Sequence, residues 1–237
     1  MAKRARSRSS SASVDYFDSR YVAEMFATMI LVFVGCSAAV IGGGNVLQIG
    51  IAFGLTLAAI AYWFEGPSGG HANPAVSIAM WAAGRMSAAD AVAYIIYQLI
   101  GGVIGTGLVV LIAGFKGGTF GGIPANLAQN GYEAGMFGSY SLVATLITEF
   151  LATLLFALVV LSVSRDARAV AGLIIGFTLI ALHMAFFNVD GLSVNPARSF
   201  GPAVFVQGKA MTQLWVFLIV PAFAGALAGW LSKERIL

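Results

Sequence analysis

Asn73-Pro74-Ala75 and Asn195-Pro196-Ala197 repeat one tripeptide, and each copy opens a short apolar stretch, Pro74–Ala83 and Pro196–Val206, between much longer apolar runs. A helix needs about twenty residues to cross the hydrocarbon core, so neither stretch can span it. Short, Gly/Pro-interrupted segments at equivalent places of two halves point to a binding or conduction site at mid-membrane. Asn caps a helix through its side-chain oxygen, and Pro suits the next position, where no N–H is needed. With that oxygen committed, the amide NH2 of Asn73 or Asn195 is expected to donate into a cavity. An ordinary helix start explains one such tripeptide in a loop; two symmetric copies between membrane spans ask for more.

Each half-helix start carries roughly half a positive charge from its aligned peptide dipoles. Two such ends facing one midpoint repel cations and hydrated protons while a neutral solute passes. Two Asn donors also turn both lone pairs of a passing water toward the protein, which interrupts a proton wire. The lead-in segments Gly69-Gly70-His71-Ala72 and Gly191-Leu192-Ser193-Val194 read as extended backbone whose carbonyls form a ladder of acceptors. Irregular backbone at membrane depth persists only where it lines a watery path or is buried in protein.

The rest of the chain fits that setting. It is 59% hydrophobic and 10% charged, where a soluble domain carries about a quarter charged residues. Apolar runs predict six spans: Tyr21–Ile41, Leu47–Phe64, Ala89–Ile112, Ser141–Val163, Ala169–Phe187 and Met211–Leu231. The Ser/Arg-rich start, residues 1–14, reads as a disordered cytoplasmic tail. The first apolar run is too long for a signal peptide and is expected to remain as a membrane helix. Residues 15–237 read as one transmembrane channel domain, with repeat one at 21–115 and repeat two at 141–231. The single cysteine, Cys36, excludes an intrachain disulfide and reads as an inert buried thiol.

The halves repeat. Ala23-Glu24-Met25-Phe26-Ala27-Thr28 matches Thr148-Glu149-Phe150-Leu151-Ala152-Thr153, and Gly54-Leu55-Thr56-Leu57 matches Gly176-Phe177-Thr178-Leu179. Gly-x-x-x-Gly occurs as Gly50/Gly54 and Gly172/Gly176, and as Gly101/Gly105 and Gly225/Gly229, which predicts close helix approach at paired places. Three spans per repeat is an odd number, so the second copy enters from the opposite side. The fold class is therefore all-α and polytopic: six transmembrane helices plus two re-entrant half-helices in an inverted three-helix repeat. Lys3, Arg4, Arg6, Arg8, Arg20, Arg85, Arg165, Arg168, Lys233 and Arg235 fall on the side of the termini, against Lys116, Lys209 and Arg198 on the other. That asymmetry puts both termini in the cytoplasm.

Ser68-Gly69-Gly70-His71-Ala72-Asn73-Pro74-Ala75-Val76 and Ser193-Val194-Asn195-Pro196-Ala197-Arg198-Ser199-Phe200-Gly201-Pro202 resemble the signature loops of the aquaporins. The resemblance covers Tyr21 to Leu231. It implies an aromatic/arginine filter to one side of the midpoint, with Arg198 as its arginine, His183 as the histidine of water-selective members, Phe53 as the aromatic wall and Leu192 as the fourth position. Leu192 departs from the small or polar residue common in water-specific members. Against that, glycerol facilitators place a small residue at His183 and an Asp at Ser199, so the implied gap is water-sized. The resemblance also implies a homotetramer in the plasma membrane, with water as permeant, the lipid bilayer as its setting, and no cofactor or nucleic-acid partner.

Glu24 and Glu149 are symmetry mates in spans one and four. A carboxylate in a membrane helix costs a few kcal/mol unless paired. Accepting backbone N–H groups of the inserted loops is the expected job, and the resemblance points the same way. His71 is expected to line the cytoplasmic approach. The rival functions are a facilitator of glycerol or other small neutral solutes, and an adhesive or scaffolding membrane protein. An enzyme or ion-coupled transporter would call for a cluster of acids, His or Cys in the spans, which the sequence lacks.

Overall fold

The computed structural model describes residues 18–136, 138–166 and 168–236; the expected tail at residues 1–14 lies outside them. Among the described residues eight α-helices run in order: α1 Ser19–Val40, α2 Val46–Trp63, α3 Pro74–Ala82, α4 Ala88–Gly114, α5 Leu142–Asp166, α6 Ala171–Asp190, α7 Pro196–Val206 and α8 Gly208–Lys233. A 3-10 turn, Arg168–Val170, precedes α6. Among the described residues six of these helices are long and apolar enough to span a membrane, and α3 and α7 are the short ones. The spans agree with the apolar runs to within a few residues. Large apolar side chains such as Leu47, Ile51, Leu55, Leu111, Leu151, Leu155 and Phe223 face outward. That distribution suits a lipid surround, since a helix apolar all round belongs to a buried or membrane setting.

Glycine fixes the crossings. Gly54 and Gly176 each have the other's carbonyl as a nearest neighbour, so α2 and α6 meet backbone to backbone at equivalent points of the two repeats. Gly101 and Gly105 lie against the carbonyls of Met25 and Met29 on α1. Gly225 and Gly229 instead lie against Ala75 and Ala79 on α3. The counterpart of Gly225 is thus not Gly101 but Gly102, which lies against the carbonyl of Ala197 on α7. One residue along a helix turns the side chain by about 100°, which moves the contact from a spanning helix to a half-helix. α3 packs on α8 and α7 packs on α4, so each half-helix is held by the last spanning helix of the opposite repeat.

Candidate functional site

The two half-helices start at one point. Asn73 Oδ1 accepts from Ala75 N at 2.8 Å, and Asn195 Oδ1 accepts from Ala197 N at 3.0 Å and Arg198 N at 3.3 Å. Pro74 and Pro196 occupy the first helical positions. The side-chain amides then cross between repeats: Asn73 Nδ2 donates to Val194 O and Asn195 Nδ2 to Ala72 O, both at 2.8 Å. This corrects the expectation that both NH2 groups are wholly free. Each amide has two N–H groups; one clasps the opposite loop and the second is left for the cavity. Both asparagines line a void of about 10 Å³, together with Leu31, Phe53, Leu57 and Phe156. That is the room one water molecule needs.

The lead-in loops are not extended. Gly69, Gly70 and Ala72 have φ of 89°, 61° and 47°, and Gly191, Leu192 and Val194 have φ of 86°, 36° and 49°. The same three positions are left-handed in both copies. Such backbone is sterically poor for a non-glycine residue and persists only where the surroundings hold it. The carboxylates supply that hold. Glu24 accepts from His71 N (2.9 Å) and Ala72 N (2.8 Å), and Glu149 from Ser193 N (2.6 Å) and Val194 N (2.9 Å). Both glutamates are fully buried. Carbonyl traffic is heavier than a free ladder would have: the oxygens of Ala72, Val194 and Gly191 already accept from Asn195, Asn73 and Arg198.

Phe53, His183 and Arg198 line the same void. The rings of Phe53 and His183 stack with centroids 5.0 Å apart, and the Arg198 guanidinium carbon lies 5.2 Å from the Phe53 centroid. His183 Nδ1 is 2.9 Å from Leu179 O; a carbonyl only accepts, so Nδ1 carries the hydrogen and Nε2 has no partner among the described residues. Arg198 donates to Ala128 O (2.7 Å), Asn130 Oδ1 (2.6 Å) and Gly191 O (3.3 Å). Its donors go to carbonyl and amide oxygens rather than to a carboxylate. Leu192 is fully buried and does not line the void. Ser193 and Val194 do.

Ala128 and Asn130 were not legible as site residues. They lie in the 115–140 connection, whose sequence carries no sign that it folds back over the half-helix. Asn130 Oδ1 also accepts from Ser199 Oγ at 2.8 Å, and Asn130 Nδ2 donates to Asp190 O at 3.1 Å. The first lead-in loop has its own unread partner, Gln98, whose amide donates to Glu24 (2.7 Å) and to Ser77 Oγ (3.0 Å). Ser77 in turn meets His71 Nδ1 at 3.0 Å. Gly69, Gly70 and His71 line a wide cavity of about 530 Å³ there, with Tyr62, Glu65 and Phe156.

This arrangement has known relatives. The family model of the major intrinsic proteins matches residues 11–232. The chain is 39% identical over 228 residues to Aquaporin Z of Bradyrhizobium diazoefficiens, covering 91% of this chain and 94% of that one. It is 40% identical over 218 residues to the glycerol uptake facilitator protein-like 6 of Lactiplantibacillus plantarum, covering 90% and 96%. The aquaglyceroporin of Plasmodium falciparum superposes with a TM-score of 0.78 at 21% identity, over 92% of this chain and 96% of that chain, which establishes the shared fold. With this match and the two converging half-helices, the chain belongs to the major intrinsic protein (aquaporin) family of multi-pass membrane channels, and it is a channel rather than an enzyme.

Proposed function

We propose that this channel conducts water passively and in both directions, one pore per chain, past Asn73 and Asn195 and through a filter of Phe53, His183 and Arg198. The observation that carries the reading is the void of about 10 Å³ bounded by all five of these residues. A passage that narrow admits water in single file and resists a solute with a carbon backbone. The spare N–H of each asparagine and the positive ends of α3 and α7 act together: they orient water and repel charge. His183 adds bulk and an acceptor nitrogen where a glycerol path would need space. Leu192 serves the filter from behind, as packing, and the Gly69, Gly70, His71, Ser193 and Val194 backbone supplies polar contacts along the path. Ala72 and Gly191 act through the protein donors on their carbonyls. Glu24 and Glu149 support the loops.

The second reading is conduction of glycerol or another small neutral solute. It is favoured by Leu192, which makes the filter's surroundings more apolar, and by the likeness to a relative called a glycerol uptake facilitator. By the family resemblance we further propose a homotetramer in the plasma membrane, and by the Lys/Arg asymmetry both termini in the cytoplasm. Parallel osmotic shrinkage and glycerol uptake in proteoliposomes test the reading: fast water flux with glycerol uptake near that of empty vesicles is expected, and rapid glycerol uptake favours the second reading.

A further inference from the structure

The serines in the first turns of the two half-helices, Ser77 and Ser199, stand at equivalent places, four residues after Asn73 and Asn195. Each meets the residue two before its asparagine: Ser77 Oγ lies 3.0 Å from His71 Nδ1, and Ser199 Oγ is hydrogen-bonded to Ser193 Oγ. A further side-chain partner of each differs in kind. Ser77 Oγ accepts from the Gln98 amide nitrogen at 3.0 Å, whereas Ser199 Oγ donates to the Asn130 amide oxygen at 2.8 Å. The residue just before each serine differs too, Val76 in one repeat and Arg198 in the other. An amide oxygen thus faces α7, where an arginine is present, and an amide nitrogen faces α3, where it is not.

Asn130 is buried, and its partners decide which way its amide points. Oδ1 accepts from Arg198 Nη1 (2.6 Å) and Ser199 Oγ (2.8 Å), and Nδ2 donates to Asp190 O (3.1 Å). The segment that carries it is fixed on both flanks. Ala128 N donates to Asn126 Oδ1 at 2.9 Å while Ala128 holds a φ of 60°, a backbone that persists for a non-glycine residue only where the surroundings hold it. Tyr132 N donates to Gln213 Oε1 at 2.9 Å and Tyr132 O accepts from Gln213 Nε2 at 3.1 Å, which ties the segment to α8. From this base Ala128 O and Asn130 Oδ1 take Arg198 Nη1, and Gly191 O takes Nη2. A guanidinium is planar, so holding both terminal nitrogens also fixes the direction of Nε–H. That N–H has no partner among the described residues, and Arg198 lines the void.

We propose that Asn130 is a positioning residue for the filter: its one uncharged oxygen locks the Arg198 guanidinium to the first turn of α7 and leaves the arginine's charge uncompensated. The proposal rests on the reading of Arg198 as a filter residue. Asn130 does not line the void and acts through Arg198. The oxygens on the guanidinium belong to two backbone carbonyls and this amide, and Arg198 forms no ion pair among the described residues. A fixed positive charge beside a narrow path is a barrier to cations. Holding and charge separate at this one residue. Asn130→Asp keeps an oxygen for both donors and cancels the charge, whereas Asn130→Ala keeps the charge and removes the oxygen.

Proteoliposomes carrying the full chain test both halves, with glycerol uptake and proton flux each divided by water flux. Asn130→Ala is expected to raise the glycerol ratio severalfold and leave the proton ratio low. Asn130→Asp is expected to raise the proton ratio severalfold and keep the glycerol ratio of the wild type. A residue that served only to hold the fold would move both ratios alike in the two variants. A wild-type glycerol ratio in Asn130→Ala while Arg198→Ala raises its own, a wild-type proton ratio in Asn130→Asp, or the same change in both variants would overturn the proposal. Thermal midpoints of Asn130→Ala, Arg198→Ala and the double variant test the contact without reference to transport. Groups in contact are coupled, so the double variant is expected to lose less than the two single losses together; additive losses would overturn the proposal. If Arg198→Ala leaves glycerol uptake at the wild-type level, the filter reading fails and the midpoints still decide the contact. If Asn130→Ala does not fold, the proton ratio of Asn130→Asp decides.

Discussion

Phe53 and His183, on helices from different repeats, stack their rings with an interplanar angle of 17° and so build one wall of the void of about 10 Å³ from two halves of the chain. Behind Phe53 lies Gly35, where an added Cβ would overlap the ring. The wall is therefore backed by packed protein and does not yield outward. Width at this level is set by side-chain size.

His183→Gly and Arg198→Ala each remove bulk and a polar group from that wall. Glycerol permeability is expected to rise by roughly tenfold or more, the change produced by lowering a barrier by about 1.4 kcal/mol. Water flux persists in both variants. Tracer glycerol uptake in proteoliposomes is the measurement; wild-type uptake in both variants contradicts the filter assignment.

Gly54→Leu or Gly176→Leu drives a side chain into the carbonyl of the facing glycine. The neighbour is backbone and cannot rotate away, so the helices must separate, at a cost of about 1–3 kcal/mol or more. A lower thermal midpoint in detergent is expected for each. An unchanged midpoint would mean that α2 and α6 do not cross here.

Glu24→Ala strands four donors: His71 N, Ala72 N, the Ser68 hydroxyl and the Gln98 amide. A buried donor left unpaired costs about 1–3 kcal/mol. Folded yield and thermal stability are expected to fall sharply. Melting and size-exclusion profiles like those of the wild type would show that the loop holds itself without the carboxylate.

Much of this was legible because it is local. Asn before Pro reads as cap and first helical residue, and an apolar run reads as a span, whatever the rest of the chain does. Glu24 and Glu149 could be paired as mates since their flanking residues repeat. Asn130 and Gln98 escaped notice because their partners lie 68 and 74 residues away, and an amide in an apolar helix or a Gly-rich loop names no partner. The left-handed backbone was half-visible: Gly69, Gly70 and Gly191 permit it, but Ala72 and Val194 are held there by the glutamates and the crossed asparagines, and the Leu192 N–H by Asp190. The Gly102 counterpart of Gly225 was likewise hidden, since a one-residue offset in a glycine-rich helix shows only in packing.

Mercury should inhibit weakly. The sole cysteine, Cys36, is buried and free, and it is not among the residues lining the void at Asn73 and Asn195. Stopped-flow water flux with and without mercuric chloride checks this; a strong block reversed by thiols would mean that Cys36 is reached from the pore.

The central claim is that two crossed asparagine amides let water through while stopping charge. Water flux by stopped-flow scattering and proton flux by a trapped pH indicator, measured on the same proteoliposomes, test it most directly. The account predicts water permeability well above empty vesicles, with a low activation energy, and proton flux no higher than theirs. Proton flux that rises in step with water flux, or water flux equal to that of empty vesicles, would contradict it.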